Sequence, residues 1–250
     1  MRFLVIGDSC TDIFIYGVVT RLCPDAPVPI LIPTHEIKNG GMASNVYNNI
    51  VSLGYNVDII TNTNVVTKTR YVEKSTNQMI MRLDSYIHKS EKINNIESIK
   101  FDQYEYIIIS DYNKGFLEYD DIEYICNNHN KVFIDTKKII KDKFKNAFCI
   151  KINETEYNNN MIAGYDVKKS HKNVIVTLGN RGCEFKKKIF SVKNVEIKDM
   201  SGAGDTFISG LVTSHAETNN FDKAIKFANL CATQVVQKKG VNIVNRNELN

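Results

Sequence analysis

Short apolar runs recur along the chain in a pattern typical of alternating strands and helices. Mainly apolar runs predict strands buried on both faces at 3–6, 57–60, 106–109, 132–135, 148–152 and 174–178. Apolar residues spaced about 3.6 positions apart predict helices at 43–53, 119–129 and 203–238. The alternation predicts an α/β fold with a mainly parallel sheet, in which ligands bind at the carboxyl ends of the strands.

The four prolines all lie between Pro24 and Pro33. Proline cannot donate a backbone hydrogen bond to a sheet, so this part of the chain is predicted to be an extended edge ribbon. We expect a lid ribbon at about 12–33, through which two copies of the chain form a homodimer. The sequence shows no internal repeat and no linker, so 1–250 is predicted to be one domain.

Composition narrows the classes of protein that remain. The chain has 250 residues, 43% of them apolar, and a net charge of +4, which is too mild to indicate a nucleic-acid partner. No apolar run approaches the roughly 20 residues that cross a bilayer, so no membrane partner is expected. The six cysteines form no C-x-x-C pair and no secretory leader is seen, which predicts reduced thiols in a cytoplasmic protein without a zinc site.

The sequence DMSGAGDTF at 199–207 carries the clearest chemical signal. Small residues at 202–204, directly before a predicted helix, let backbone N–H groups converge on an anion that the helix dipole also attracts. Asp205 falls in the first turn of that helix, where it could accept a proton from an attacking hydroxyl. The pattern alone also allows a second interpretation, in which Ser201 and Asp205 only cap a helix.

Two further segments follow predicted strands. The sequence NETE at 153–156 places an amide and a carboxylate at a strand end, where they suit water-mediated contacts to Mg²⁺ and phosphate. An Asx turn that begins a helix would have the same sequence. The sequence TLGNRG at 177–182 contains glycines that allow a nucleotide to approach the backbone, although an ordinary hairpin turn would also contain them.

Taken in order, these segments resemble the ribokinase-like, phosphofructokinase B type carbohydrate kinases. The second signature of that family is similar to the residues at 199–205. Within the family, the N-terminal motifs resemble the heptose-7-phosphate kinases, and the similarity continues in collinear order through most of the chain. These motifs lie at 6–17, 20–29, 40–45, 53–54, 69–70, 78–84, 110–115, 134–137 and 227–229.

The resemblance implies a ribokinase-like three-layer α/β fold with a mainly parallel central sheet and a small β lid. It also implies an enzyme that uses ATP and Mg²⁺ to phosphorylate the anomeric hydroxyl of D-glycero-D-manno-heptose 7-phosphate, giving the 1,7-bisphosphate. Asp205 matches the catalytic base of the family. Gly202, Ala203 and Gly204 match the anion hole that neutralises charge on the phosphoryl group during transfer.

The remaining matches divide into a nucleotide side and a sugar side. Asn153 and Glu156 match the magnesium and phosphate motif, with Glu156 as the metal residue. The matches to the nucleotide-binding positions are Thr177, Gly179, Gly182 and Asn229. The expected substrate residues are Asp8, Asp12, Gly40, Gly41, Asn45, Arg82, Asp111 and Lys114.

Several of these matches also have structural readings. Asp12 could serve in a turn, Gly40 and Gly41 at a close packing point, and Asn45 as a helix cap. Arg82 and Lys114 could be solvated charges. The alternative is a role in binding the substrate phosphate, for which the candidate cations are Arg21, Arg82 and Lys114.

The chain departs from the family pattern at two places. After 57–60 about one βα unit is missing, because 61–66 leads directly to 67–70. A second shortening is expected around 158–164, where the family has a helix. No H-x-G-H motif follows residue 240, so the nucleotidyltransferase domain fused to some heptose kinases is not expected. The alternatives are a kinase for another sugar or a nucleoside, and a non-catalytic protein that binds a nucleotide or sugar.

Overall fold

The computed structural model describes residues 1–85 and 90–249. Its strands are β1 (Arg2–Gly7), β2 (Ser9–Leu22), β3 (Pro29–Met42), β4 (Asn56–Thr61), β5 (Thr67–Glu73), β6 (Met79–Asp84), β7 (Tyr106–Asp111), β8 (Val132–Thr136), β9 (Cys149–Asn153), β10 (Val174–Thr177), β11 (Cys183–Phe185) and β12 (Lys188–Phe190). Its α-helices are α1 (Ala43–Ser52), α2 (Tyr119–Asn128), α3 (Glu154–Ile162), α4 (Val167–Ser170), α5 (Ala203–Thr218) and α6 (Phe221–Val235).

The central sheet has eight strands in the order β12-β11-β10-β9-β8-β7-β1-β4. All neighbours from β4 to β10 pair in parallel, whereas β11 and β12 form an antiparallel edge. The six predicted apolar runs all became parallel strands of this sheet. The short strands β11 and β12 were not predicted, because three residues each are too few to show a periodic pattern.

Helices cover both faces of the central sheet. Alternate residues of β7 point to opposite faces, so Ile107 and Ile109 pack in one core with Ile122 of α2. Ile108 lies in the other core, which includes Ile50 of α1 together with apolar residues of α5 and α6. This arrangement explains why the inner strands of the sheet are mainly apolar, because both of their faces are covered. In the described ranges, no helix is long and apolar enough to cross a membrane.

The lid is a second, four-stranded sheet in the order β3-β2-β5-β6. It extends over 9–42 and 67–84, so the predicted ribbon at 12–33 was too short and lacked half of its strands. The inward side chains of β5 are polar or charged as well as apolar, with Lys68 and Arg70 in register with Asp12 and Phe14 of β2. A strand with charges on its inner face shows no apolar run, which is why β5 and β6 were missed.

Two helix predictions need correction. The predicted helix at 203–238 is two helices, because Asn219 adopts a left-handed conformation (φ 46°) and Asn220 caps the start of α6. The segment around 158–164 is not shortened to a loop: α3 continues to Ile162, and the buried Asn160 Oδ1 accepts a hydrogen bond from Ile140 N at 2.7 Å. By contrast, the structure has no βα unit between β4 and β5, as predicted, because only five residues separate these two strands.

Candidate active site

A cavity of about 440 Å³ opens beside the N-terminus of α5, at the carboxyl ends of β8, β9 and β10. This is the edge of the sheet where a parallel α/β fold binds its ligands. Eight of the residues predicted to belong to the site line this cavity, although they are spread along the chain between positions 153 and 229. They are Asn153, Thr177, Gly179, Gly182, Gly202, Ala203, Gly204 and Asn229.

The loop before α5 requires small residues. Gly202 has φ +80°, and a Cβ atom there would lie 2.6 Å from Nδ2 of Asn45. A Cβ atom on Gly204 would lie 3.0 Å from Nζ of Lys151. The absence of side chains therefore keeps the first N–H groups of α5 open to the cavity, which suits them to bind an anion.

Asp205 lies in the first turn of α5 and is 3% exposed. Its Oδ1 accepts a hydrogen bond from the Tyr112 hydroxyl at 2.7 Å, and its Oδ2 accepts one from Asn45 Nδ2 at 3.0 Å. Burial raises the pKa of Asp205 to about 6, while the two hydrogen bonds oppose that rise. The carboxylate is thus ionised at neutral pH and more basic than an exposed aspartate, as a general base should be.

A buried ion pair lies under the loop, and the sequence reasoning missed it. Lys151 Nζ lies 2.7 Å from Oδ2 of Asp135, and both side chains are about 5% exposed. Both residues line the cavity. The available signal was a lysine within an otherwise apolar strand, because a charge buried between two faces of a sheet needs a partner.

Asn153 and Glu156 form a capping box at the start of α3, which is the structural reading considered above. Glu156 also forms an ion pair with Lys137. Within residues 1–85 and 90–249, no three His, Cys, Asp or Glu side chains are grouped to coordinate a metal ion. The side-chain oxygens of Asn153 and Glu156 are of the type that suits magnesium, and they accept hydrogen bonds at 2.8 Å within the capping box, so contact with an ion would run through water.

The far wall of the cavity is shaped by the turn after β10. Gly179 has φ +61°, and a Cβ atom there would meet no other atom within 4 Å, so this backbone borders open space. A Cβ atom on Gly182 would lie 2.0 Å from the Phe190 carbonyl oxygen, to which Asn229 Nδ2 donates at 2.9 Å. Gly182 and Asn229 thus fix the edge strands beside the cavity, and Gly179 leaves room for a ligand.

The inner face of the lid approaches the surroundings of Asp205 through Lys68, whose ammonium lies 5.2 Å from the centre of the Tyr112 ring. Asp12 is 5% exposed and forms an ion pair with Arg70 across the lid strands. A Cβ atom on Gly41 would lie 2.0 Å from Oδ2 of Asp12, so only glycine fits beside this carboxylate. At Gly40 a Cβ atom would approach Asn48 Nδ2 at 3.0 Å, a less severe contact.

Cations concentrate on this face of the lid. Arg82 is the cross-strand partner of Arg70 and forms a bidentate ion pair with Asp84 at 2.6 and 2.8 Å. The hydrogen bonds from Arg82 lower the pKa of Asp84, and the charges of Lys68 and the half-buried Lys114 lower it further. Lys68 and Arg70 had been given no role from sequence, although their i, i+2 spacing on a strand places them on one face.

Two of the predicted substrate residues, Asp8 and Asp111, use their carboxylates in bonds to other groups of the protein. Asp8 is 1% exposed, and its carboxylate accepts hydrogen bonds from the backbone N–H groups of Tyr112, Lys114 and Phe116 at 2.9, 3.2 and 3.3 Å. Asp111 forms a buried ion pair with Lys138 at 2.9 Å, and burial raises its pKa. Neither residue lines the cavity, and both shape the loop that follows β7.

Comparison with known proteins identifies the class. The model of the pfkB family of carbohydrate kinases matches residues 59–248, and the chain belongs to that family. Ribokinase from Thermotoga maritima has a TM-score of 0.73 at 16% identity, covering 97% of this chain and 96% of its own. Arabidopsis thaliana ribokinase complexed with ribose and ATP has a TM-score of 0.68 at 14% identity, covering 98% and 96%. The predicted ribokinase-like fold and the prediction of a carbohydrate kinase are both confirmed.

The chain is also similar to the bifunctional protein HldE of Helicobacter acinonychis (strain Sheeba). The two are 30% identical over 302 residues, which include 99% of this chain and 65% of the relative. The chain therefore spans slightly less than two thirds of the length of this relative. Because the alignment is longer than the 250 residues of this chain, the relative contains insertions, in agreement with the predicted loss of a βα unit.

Proposed function

We propose that the protein transfers the γ-phosphoryl group of ATP to the anomeric hydroxyl of D-glycero-D-manno-heptose 7-phosphate, giving the 1,7-bisphosphate. The observation that carries the proposal is the position of Asp205, a buried carboxylate directly after the cavity-lining residues 202–204. It accepts a hydrogen bond from Tyr112, which lines the cavity and has the lid cation Lys68 5.2 Å from the centre of its ring. The choice of sugar is supported by the N-terminal motifs that resemble heptose-7-phosphate kinases.

In this mechanism Asp205 accepts the proton of the anomeric hydroxyl. The sugar oxygen then bonds to the γ-phosphorus as the bond to the ADP oxygen breaks. The backbone N–H groups at Gly202, Ala203 and Gly204 neutralise charge on the phosphoryl oxygens, and the ammonium of Lys151 adds a fixed positive charge beside Gly204. The work is electrostatic and positional, so no covalent enzyme intermediate is needed.

The cavity holds the nucleotide in this proposal. Thr177, Gly179, Gly182 and Asn229 form the wall against which the nucleoside lies, and Asn153 and Glu156 contact magnesium through water. Bound Mg²⁺ supplies charge neutralisation at the phosphates. The ion would be held mainly by phosphate oxygens and water, because the side-chain oxygens of Asn153 and Glu156 already accept hydrogen bonds within the capping box.

The sugar phosphate lies between Asp205 and the lid. Asp12, Asn45, Gly40 and Gly41 surround the position proposed for the sugar hydroxyls, and Arg70 and Arg82 provide charge for the 7-phosphate. Lys114 is a further candidate cation at the same edge. Asp8 and Asp111 act indirectly, by fixing the loop between β7 and α2.

The test is turnover of ATP with a panel of sugars, sugar phosphates and nucleosides, with wild-type protein and with Asp205→Asn. The amide keeps the shape of the carboxylate but cannot accept the proton, so kcat should fall about a thousandfold or more while ATP binding persists. A kcat within tenfold of wild type contradicts the role of Asp205. Preference for a nucleoside or a ketose contradicts the heptose phosphate while retaining a kinase.

A homodimer formed through the lid is the second part of the proposal. On the outer face of β6, Met81 and Leu83 are 51% and 53% exposed, in register with Tyr71 and Thr69 of β5. Light scattering should give twice the chain mass, and Met81→Glu with Leu83→Lys should give the monomer. A monomeric wild-type protein contradicts this arrangement. We also propose a cytoplasmic location, supported by the use of ATP and by six free cysteines.

A further inference from the structure

Tyr112 occupies the boundary between the two halves of the site. It directly follows β7, lines the nucleotide cavity and donates its hydroxyl hydrogen bond to Oδ1 of Asp205 at 2.7 Å. The family motifs suggested no role for this residue. Two described side chains donate hydrogen bonds to the carboxylate of Asp205, those of Tyr112 and Asn45. Of these two, Tyr112 also lines the cavity.

Tyr112 is held from several directions. Its backbone N–H donates to Asp8 Oδ2 at 2.9 Å, which fixes the loop. The ammonium of Lys68, from lid strand β5, lies 5.2 Å from the centre of its ring, and that of Lys137, after β8, lies at 5.3 Å. Both distances are within the range of cation–π attraction. The phenol is therefore positioned by the lid and by the central sheet together.

We infer that Tyr112 is a positioning residue for the phosphoryl transfer, which orients the Asp205 carboxylate and stabilises its ionised form. Asn45 donates to the other oxygen, so the carboxylate plane is fixed from both ends. Each carboxylate oxygen can accept more than one hydrogen bond, which leaves lone pairs for the sugar hydroxyl. The inference rests on the proposed function, in which Asp205 is the base.

The charged surroundings support this role. The pKa of Tyr112 is raised well above its usual value, first by burial and then by Asp205, so the hydroxyl remains a donor throughout the assay range. Asp135 raises the pKa of Asp205 and Lys151 lowers it. Lys137 and Cys10 also face Asp205, and burial raises the pKa of the Cys10 thiol to about 12, so it stays uncharged. Loss of the phenol hydroxyl leaves all four of these groups in place.

The experiment measures kcat against pH for wild type and for Tyr112→Phe. The wild-type acid limb should fall near pH 6, where Asp205 gains its proton. Without the phenol donor the ionised carboxylate loses stabilisation, so the limb should move upward by about one pH unit. At pH 7 this shift by itself lowers the ionised fraction only about twofold. Loss of the hydrogen bond that orients the carboxylate should bring the total fall in kcat to roughly tenfold to a hundredfold, with the sugar KM little changed.

Tyr106→Phe is the matched control. Tyr106 begins the same strand β7, is 3% exposed and places its hydroxyl 3.3 Å from Nδ1 of His215, away from the carboxyl end of the strand. This control also deletes a hydroxyl group from a buried tyrosine, but Asp205 keeps its hydrogen bonds from Tyr112 and Asn45. The acid limb of this variant should coincide with that of wild type, whatever its thermal stability.

A second variant keeps the test decisive if Tyr112→Phe folds poorly. Replacement of Tyr112 by 3-fluorotyrosine retains the ring and hydroxyl but makes the phenol a stronger donor, so the acid limb should move to lower pH, opposite to the Phe variant. Unmoved limbs overturn the inference. If Asp205→Asn is inactive while the limbs do not move, only the role of Tyr112 fails. If Asp205→Asn retains wild-type turnover, the proposed base and the role of Tyr112 fail together.

Discussion

Lys151 and Asp135 form an ion pair beneath the anion-binding loop, with Nζ and Oδ2 2.7 Å apart and both side chains almost fully buried. Lys151→Met leaves the carboxylate of Asp135 buried without its partner, so we expect a loss of about 3–5 kcal/mol in the free energy of unfolding. It also removes a positive charge beside Gly204, so kcat should fall. Denaturant unfolding and steady-state kinetics measure the two effects.

The double variant Lys151→Met with Asp135→Asn separates stability from catalysis. It removes both charges, so most of the lost stability should return while kcat stays low. Lys168→Met is the control, because Lys168 pairs with Glu184 at 2.8 Å in a partly exposed position, where a pair contributes about 1 kcal/mol or less. Full kcat in Lys151→Met would show that the lysine is purely structural.

Gly202→Ala should lower kcat far more than Gly164→Ala. Both glycines have positive φ, +80° and +83°, so alanine carries a similar backbone strain of about 1 kcal/mol at either position. Only at Gly202 does the new Cβ atom meet a neighbour, Nδ2 of Asn45 at 2.6 Å; at Gly164 nothing lies within 4 Å. Equal losses of kcat in the two variants would place the anion-binding loop elsewhere.

Turnover should require magnesium, and the variant Asn153→Ala with Glu156→Ala should raise the Mg²⁺ concentration needed for half-maximal rate more than it raises the sugar KM. The two residues also cap α3, so the variant should lose about 1–2 kcal/mol of stability. Asn220→Ala removes the cap of α6 instead and serves as the control. An unchanged metal requirement would leave the pair with a capping role only.

Heptose 7-phosphate should exceed unphosphorylated heptose in kcat/KM by roughly a hundredfold or more, the effect of one or two charge-assisted hydrogen bonds. Arg70→Met and Arg82→Met should each reduce that ratio, and Lys114→Met and Arg21→Met extend the series. Lys38→Met, whose exposed ammonium pairs with Glu36 on the same lid strand, should leave it unchanged. Equal efficiency on both sugars would contradict the heptose phosphate assignment.

The raised pKa of Asp205 predicts a pH-dependent effect on stability. Its value is about 6 in the folded protein against 3.8 for an ordinary aspartate. Between pH 3.8 and about pH 6 the carboxyl group of Asp205 is ionised in the unfolded chain but still protonated in the folded protein. Its contribution to the free energy of unfolding therefore falls as pH rises through this window and stays low above it. Asp205→Asn should therefore gain stability relative to wild type by about 1–3 kcal/mol between pH 4 and pH 8. A constant difference in unfolding free energy would contradict the shift.

The sequence by itself determined the six parallel strands of the central sheet and the anion-binding loop of the site. Strands covered on both faces are mainly apolar, so the six parallel strands were visible as mainly apolar runs. The loop at 202–204 was visible because a backbone that binds an anion excludes large side chains. Asn153, Gly179 and Gly182 were visible because they follow the carboxyl ends of predicted strands, whereas Asn229 lies within α6 and was indicated only by the family resemblance.

Only the tertiary structure decided how the base is held and what covers it. Tyr112 and Asp205 are 93 residues apart along the chain, and Lys151 and Asp135 lie on neighbouring strands, so no local pattern pairs them. The lid strands β5 and β6 escaped prediction because their inner faces carry Lys68, Arg70 and Arg82 over the site. Arg70 is stable there because folding brings Asp12 of β2 to it, and periodicity along one strand cannot report a partner on another. Arg82 instead pairs with Asp84 of its own strand.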